Sequence, residues 1–214
     1  PRTGEIIKGQ VSLGSLRVRQ DYMIAQGLLS PFKEEPLSED QMLKMSLDRL
    51  EQLSAHEVGH TLGLMHNYAA STVNRSSVMD YPHPVIKLNA AGNIDLSDAY
   101  DHKIGEWDKV AITWGYSDLR NESNESGALN KILSNAYAKG LRYISDRDAR
   151  AAGGLHPDAH LWDNGNDVLS EYENVMKVRT KALSQFGMNT IRKGTPMAFL
   201  EDVMVPVYFY HRYQ

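Results

Sequence analysis

The chain has 214 residues, 42% hydrophobic and 23% charged, an ordinary globular balance with enough length for one packed domain or two small lobes. A net charge of −4 leaves no electrostatic footprint for nucleic acid. The absence of cysteine excludes disulfides and thiolate metal sites, and no run approaches the roughly 20 apolar residues that span a bilayer. No signal peptide is present; the chain opens on Pro1 and stops at Gln214 inside an amphipathic run, so the expectation is a fragment of a longer parent chain.

In chain order, Val11 and Leu13, then Leu16 and Val18, alternate with polar neighbours and predict one or two strands over residues 5–20, interrupted near Gly14-Ser15. Ser38, with Gln41 as capping-box partner, starts a long helix. Leu43, Leu47, Leu50 and Ser54 follow at helical spacing and lead into the most informative stretch of the chain, His56-Glu-Val-Gly-His-Thr-Leu-Gly-Leu-Met-His66. His56 and His60 lie four apart, hence one turn apart on one helix face, where two imidazoles can hold one metal ion. Gly63 accepts the left-handed conformation that ends a helix, so the chain can turn back and bring His66 to the same ion. No glutamate stands between Glu57 and Glu106 to complete the site instead, and Asp80 is displaced by His66, which already stands where a third ligand belongs. Three neutral nitrogens leave an open position for water, the pattern of a catalytic zinc, and Glu57 is the natural general base for that water.

Ser77-Val-Met-Asp-Tyr81 follows, with Met79 thirteen residues beyond His66. Pro82 and Pro84 predict an extended segment through Val85 and Ile86, with His83 a solvent-facing loop residue. Ile104, Trp107, Val110, Ala111 and Trp114 describe a helix face ending near Gly115, both tryptophans reading as core packing. Asn121 to Gly127 is a polar linker. Leu129, Ile132, Leu133, Ala136 and Tyr137 form the next helical stripe. A loop over roughly 146–167 holds His156, His160, Trp162 and Asp163, and Pro157 argues against a helix that would pair the two histidines on a second metal. Leu169, Tyr172, Met176, Leu183 and Phe186 mark one further helix, and Leu200, Val203, Met204, Val207 and Tyr208 a last one, kinked or delayed by Pro206.

The long zinc motif followed by a methionine-containing turn resembles the metzincin metalloproteases. The stretches PRTGEII, HEVGHTLGLMHN, SVMDYPHP and IGEWDKVAITWGY look most like those of large secreted bacterial zinc-dependent metalloproteases. The resemblance covers the chain to about Tyr116. It implies an α+β fold with a short sheet and an active-site helix in a catalytic core at 1–118, followed by a mainly helical part at 119–214. It implies one catalytic Zn2+ on His56, His60 and His66, Met79 as the apolar floor beneath the metal, and Tyr81 as an extra ligand and oxyanion stabiliser; a buried structural tyrosine is the other reading of Tyr81. Residues 6–13 would be the edge strand on which an extended peptide pairs, although only 55 residues precede His56, fewer than the sheet of such a domain usually takes. The expected activity is peptide-bond hydrolysis on a peptide or protein substrate, within a parent that is secreted, periplasmic or on the cell surface. A zinc-containing module that docks peptides or glycans without catalysis, and a zinc amidase acting on a small molecule, use overlapping groups and remain the alternatives.

Overall fold

The computed structural model describes residues 3–32, 40–149 and 151–213. The chain is α+β and mainly helical. Helices α1 (Ser15–Leu29) and α2 (Asp40–Thr61) precede a two-stranded hairpin, β1 (Lys87–Leu88) and β2 (Ile94–Asp95). Then come α3 (Glu106–Tyr116), α4 (Glu125–Ala138), the single turn α5 (Asp146–Ala149), α6 (Val168–Gln185) and α7 (Phe199–Tyr208), with short 3-10 turns at Met188–Thr190 and Tyr210–Tyr213. Two compact units interleave along the chain. One comprises Pro1–Ser12, Leu53–Pro82 and Lys103–Asn166; the other comprises Leu13–Gln52, His83–His102 and Asp167–Gln214.

The second unit is held by apolar packing. Ala25, Leu28 and Leu29 of α1, Met42 and Met45 of α2, Ile86, Ile94 and Leu96 around the hairpin, and Val175, Val178, Ala182 and Val207 of the last helices form one buried cluster. Gly27 lets α1 and α7 approach closely, since a Cβ there would lie 2.4 Å from Val207 Cγ2 and 2.8 Å from the Val203 carbonyl. The hairpin pairs Lys87 with Asp95 and Leu88 with Ile94. Asn89 closes its turn by accepting from the Ala91 and Asn93 amides, and Gly92 supplies the positive φ of 74°.

Several expectations are corrected. Leu16 and Val18 lie in α1, not in a strand, and residues 4–14 form no strand among the described residues; alternation makes a strand only where a partner takes its N–H and C=O groups. The edge strand expected at 6–13 is therefore not formed. Ser38 lies outside the described residues, so the capping box does too. On α2 the buried face runs through Met42, Met45, Arg49, Gln52 and His56, while Leu43 and Leu47 are exposed. The same rotation occurs on α6, where Val175, Val178 and Ala182 are buried and Leu169 is 75% exposed. Trp107 is buried but Trp114 is 45% exposed, lining an apolar cavity rather than packed in a core. The last residues of the 121–127 linker are the first turn of α4, capped by Asn124, whose side chain accepts from the Gly127 amide. His83 is buried, not solvent-facing: its ring packs 4.8 Å from that of Tyr210, and burial pushes its pKa down to about 4.

Candidate metal centre

The buried stripe of α2 continues through His56 to Gly59, so the helix delivers its first histidine already screened from solvent. The helix ends at Thr61, and Gly63 turns the chain with φ +85°, as the spacing predicts. Gly63 N donates to the His60 carbonyl and Leu64 N to that of Gly59, capping the terminal carbonyls and directing His66 back across the helix end. The ligating atoms of His56, His60 and His66 then lie within 4.8 Å of one another. Their ring centroids form a near-equilateral triangle with sides of 4.7, 4.8 and 5.3 Å.

Each ring is oriented through its Nδ1. His56 Nδ1 lies 2.7 Å from the Val78 carbonyl and His60 Nδ1 lies 2.9 Å from the Leu64 carbonyl. A carbonyl has no proton to give, so both Nδ1 atoms donate and each neutral ring keeps its Nε2 lone pair for a metal. His66 Nδ1 lies 2.8 Å from Asp146 Oδ2, and its Nε2 is buried with no hydrogen-bond partner. A buried lone pair left unpaired is costly unless an ion takes it. Burial lowers the His56 pKa, which favours the neutral form that ligates. The donor set and its orientation fit Zn2+. Glu57, adjacent to His56 on α2, is half-buried.

The methionine turn is fastened by side chains, because residues 62–82 have little regular structure to satisfy their backbone. Asp108 of α3 accepts from the Ser77 hydroxyl at 2.5 Å, the Val78 amide at 2.8 Å and the Gly105 amide at 2.7 Å. Gly105 lies so close to the Ser76 carbonyl that a Cβ would meet it at 2.1 Å. Asp80 accepts from the Ser71 and Tyr81 amides, while burial lifts its carboxyl well above the usual range. Met79 is 1% exposed and packs on α2, where a Cβ at Gly59 would lie 2.3 Å from its Sδ. Met79 also lines, with Leu62, Trp107, Trp114 and Tyr137, a cavity of about 780 Å³. The Tyr81 ring stands 4.8 Å from that of His66 and 5.4 Å from that of His56. Its carbonyl accepts from Trp162 N at 2.9 Å, and the Trp162 ring packs 5.4 Å from its own.

Asp146, Tyr68 and Asp108 escape a reading of the sequence. Asp146 is 80 residues from the histidine it holds, and no local pattern links the two. Asp108 carries a weak signal, an acidic residue in the first turn of a helix, which is ordinarily a dipole effect rather than a fastening.

No curated protein and no solved structure matches this chain. The sequence profile of the family described as Met-zincin matches residues 38–214, which takes in α2, the third histidine and the methionine turn together. That is more than half of the chain, and the converging histidines agree with it: the chain belongs to the Met-zincin family.

Proposed function

We propose that the chain is the catalytic part of a zinc-dependent endopeptidase acting on peptide or protein substrates, and that its parent is one of the large secreted bacterial metalloproteases its motifs resemble. The observation that carries this reading is Glu57 placed next to the first of three histidines whose ligating atoms converge within 4.8 Å. When bound, zinc lowers the pKa of a coordinated water to about 7 and polarises the scissile carbonyl. Glu57 removes a proton from the attacking water and delivers it to the departing amine. Tyr81, through its hydroxyl, donates to the oxygen on which negative charge develops. The α2 backbone fixes His56, Glu57 and His60 relative to one another, so Glu57 enters the reaction without a separate ordering step.

A peptide-library digest with and without a chelator tests the reading. Cleavage that the chelator abolishes, with a side-chain preference, supports an endopeptidase. Glu57→Gln is expected to retain zinc while peptidase turnover falls by about 100-fold or more; undiminished turnover refutes the role of Glu57. Tyr81→Phe is expected to lower turnover with little change in KM, and unaltered activity and metal coordination would make Tyr81 structural. Docking of peptides or glycans without catalysis is the second reading, disfavoured by a carboxylate kept beside a metal position open to water.

A further inference from the structure

His56 and His60 inherit their positions from α2, whereas His66 lies beyond Gly63 in a stretch with no regular structure. Its ring needs an orienting partner from elsewhere in the chain. We propose that Asp146 is that partner, a positioning residue that fixes the tautomer and aim of His66 and, as the one charged acceptor among the three, strengthens it as a zinc donor. The inference rests on the reading of the three histidines as a zinc site.

Both oxygens of Asp146 are engaged. Oδ2 accepts from His66 Nδ1 at 2.8 Å and Oδ1 accepts from the Tyr68 hydroxyl at 2.7 Å, so the carboxylate is clamped between a ring and a phenol. The Tyr68 oxygen also lies 3.3 Å from His66 Nδ1, closing a three-membered cluster. The segment carrying Asp146 is docked independently of that carboxylate. Tyr68 N donates to the Ile144 carbonyl at 2.9 Å, Asn67 Nδ2 to the Arg142 carbonyl at 2.9 Å, and Ile144 N to Asn67 Oδ1 at 3.2 Å. Residues 142–146 are thus tied to 66–68 by backbone and amide contacts that an Asp146 substitution leaves in place. His56 and His60 donate to the neutral carbonyls of Val78 and Leu64. A carboxylate acceptor raises the basicity of a ligating imidazole more than a carbonyl does, and losing such a partner typically weakens metal affinity 10–100-fold.

The test is a Zn2+ titration of the full chain against a competing chelator, comparing the unsubstituted protein with Asp146→Asn and Asp146→Ala, together with the visible absorption of the Co2+-substituted forms. The unsubstituted chain is expected to take up one zinc. Asp146→Asn keeps an oxygen acceptor but loses the charge, and its affinity is expected to fall about 10-fold; Asp146→Ala loses both, with a fall nearer 100-fold and a shifted Co2+ spectrum. A graded loss with the fold intact by circular dichroism supports the proposal. Wild-type zinc affinity and an unshifted Co2+ spectrum in both variants overturn it, even if the melting temperature drops, because a purely structural Asp146 would do only that. Should the unsubstituted chain bind no zinc, the metal reading itself fails and this inference with it.

Discussion

Asp21 and Asp108 are both buried carboxylates, one in each unit, and they are held in different ways. Asp21 lies on α1, accepts one hydrogen bond, from the Tyr100 hydroxyl at 2.9 Å, and has Arg17 Nε 3.9 Å from its Oδ2; burial nevertheless pushes its pKa up. Asp108 accepts from two backbone amides and a serine, and those donors belong to the irregular chain around the methionine turn and the start of α3. The contrast follows from how each unit satisfies its backbone. Helices pair their own N–H and C=O groups, so a helical unit needs side-chain acceptors only incidentally. The loops that carry His66, Met79 and Tyr81 have no ladder, and buried side chains must do that pairing. Polar burial in the unit that carries the three histidines is therefore architectural, while in the other unit it is an addition to an apolar core.

The sharpest way to break this comparison is Asp108→Ala. It strands the Ser77 hydroxyl and the Val78 and Gly105 amides, each costing about 1–3 kcal/mol, and the sum is expected near 4 kcal/mol by urea unfolding. Zinc affinity should fall with it, because the Val78 carbonyl that orients His56 belongs to the same turn. Asp21→Ala strands the Tyr100 hydroxyl and removes the Arg17 ion pair, is expected to cost about 1–3 kcal/mol, and should leave zinc affinity unchanged. Equal costs, or zinc affinity indifferent to Asp108, would dissolve the distinction.

A pH series reads the other unit. His83 is held neutral by burial with its folded pKa near 4, below the ordinary 6.5. The unfolded chain takes up that proton first as pH falls. The contribution of His83 is therefore present in full above pH 6.5 and is lost progressively toward pH 4, about 3 kcal/mol in all. Replacing it, as in His83→Gln, is expected to flatten the decline of the urea midpoint between pH 6.5 and 4. An unchanged slope would mean that the proton is taken up elsewhere.

What was legible in the sequence is local. The spacing of His56, His60, Gly63 and His66 forces convergence through one helix and one turn, so the cluster could be read without knowing the fold. His83 was misread because a histidine between two prolines looks like loop, and nothing nearby in sequence announces Tyr210, which covers it. Residues 5–20 alternate like strands, but alternation specifies a strand only where a neighbouring strand completes it; α1 instead buries Ala25, Leu28 and Leu29 at helical spacing. Asp146 could not be found at all, since its meaning depends on a contact across 80 residues.

The smallest expected effect lies at Gly59. In the interior of a helix, Gly→Ala ordinarily stabilises by about 1 kcal/mol, because alanine restricts the unfolded chain. Here the added methyl would lie 2.3 Å from Met79 Sδ and 3.3 Å from its Cε. Met79 is 1% exposed and packed on α2, so overpacking of about 1–3 kcal/mol opposes the gain. The net change in Gly59→Ala is expected to be a destabilisation of about 1 kcal/mol. In a Met79→Ala background the clash is gone, and the same substitution should regain its usual favourable sign. The coupling between the two positions, read from a double-mutant cycle of urea midpoints, is what places the methionine against α2. If Gly59→Ala stabilises equally in both backgrounds, Met79 does not support α2, and the methionine turn is held by its hydrogen bonds rather than by this packing.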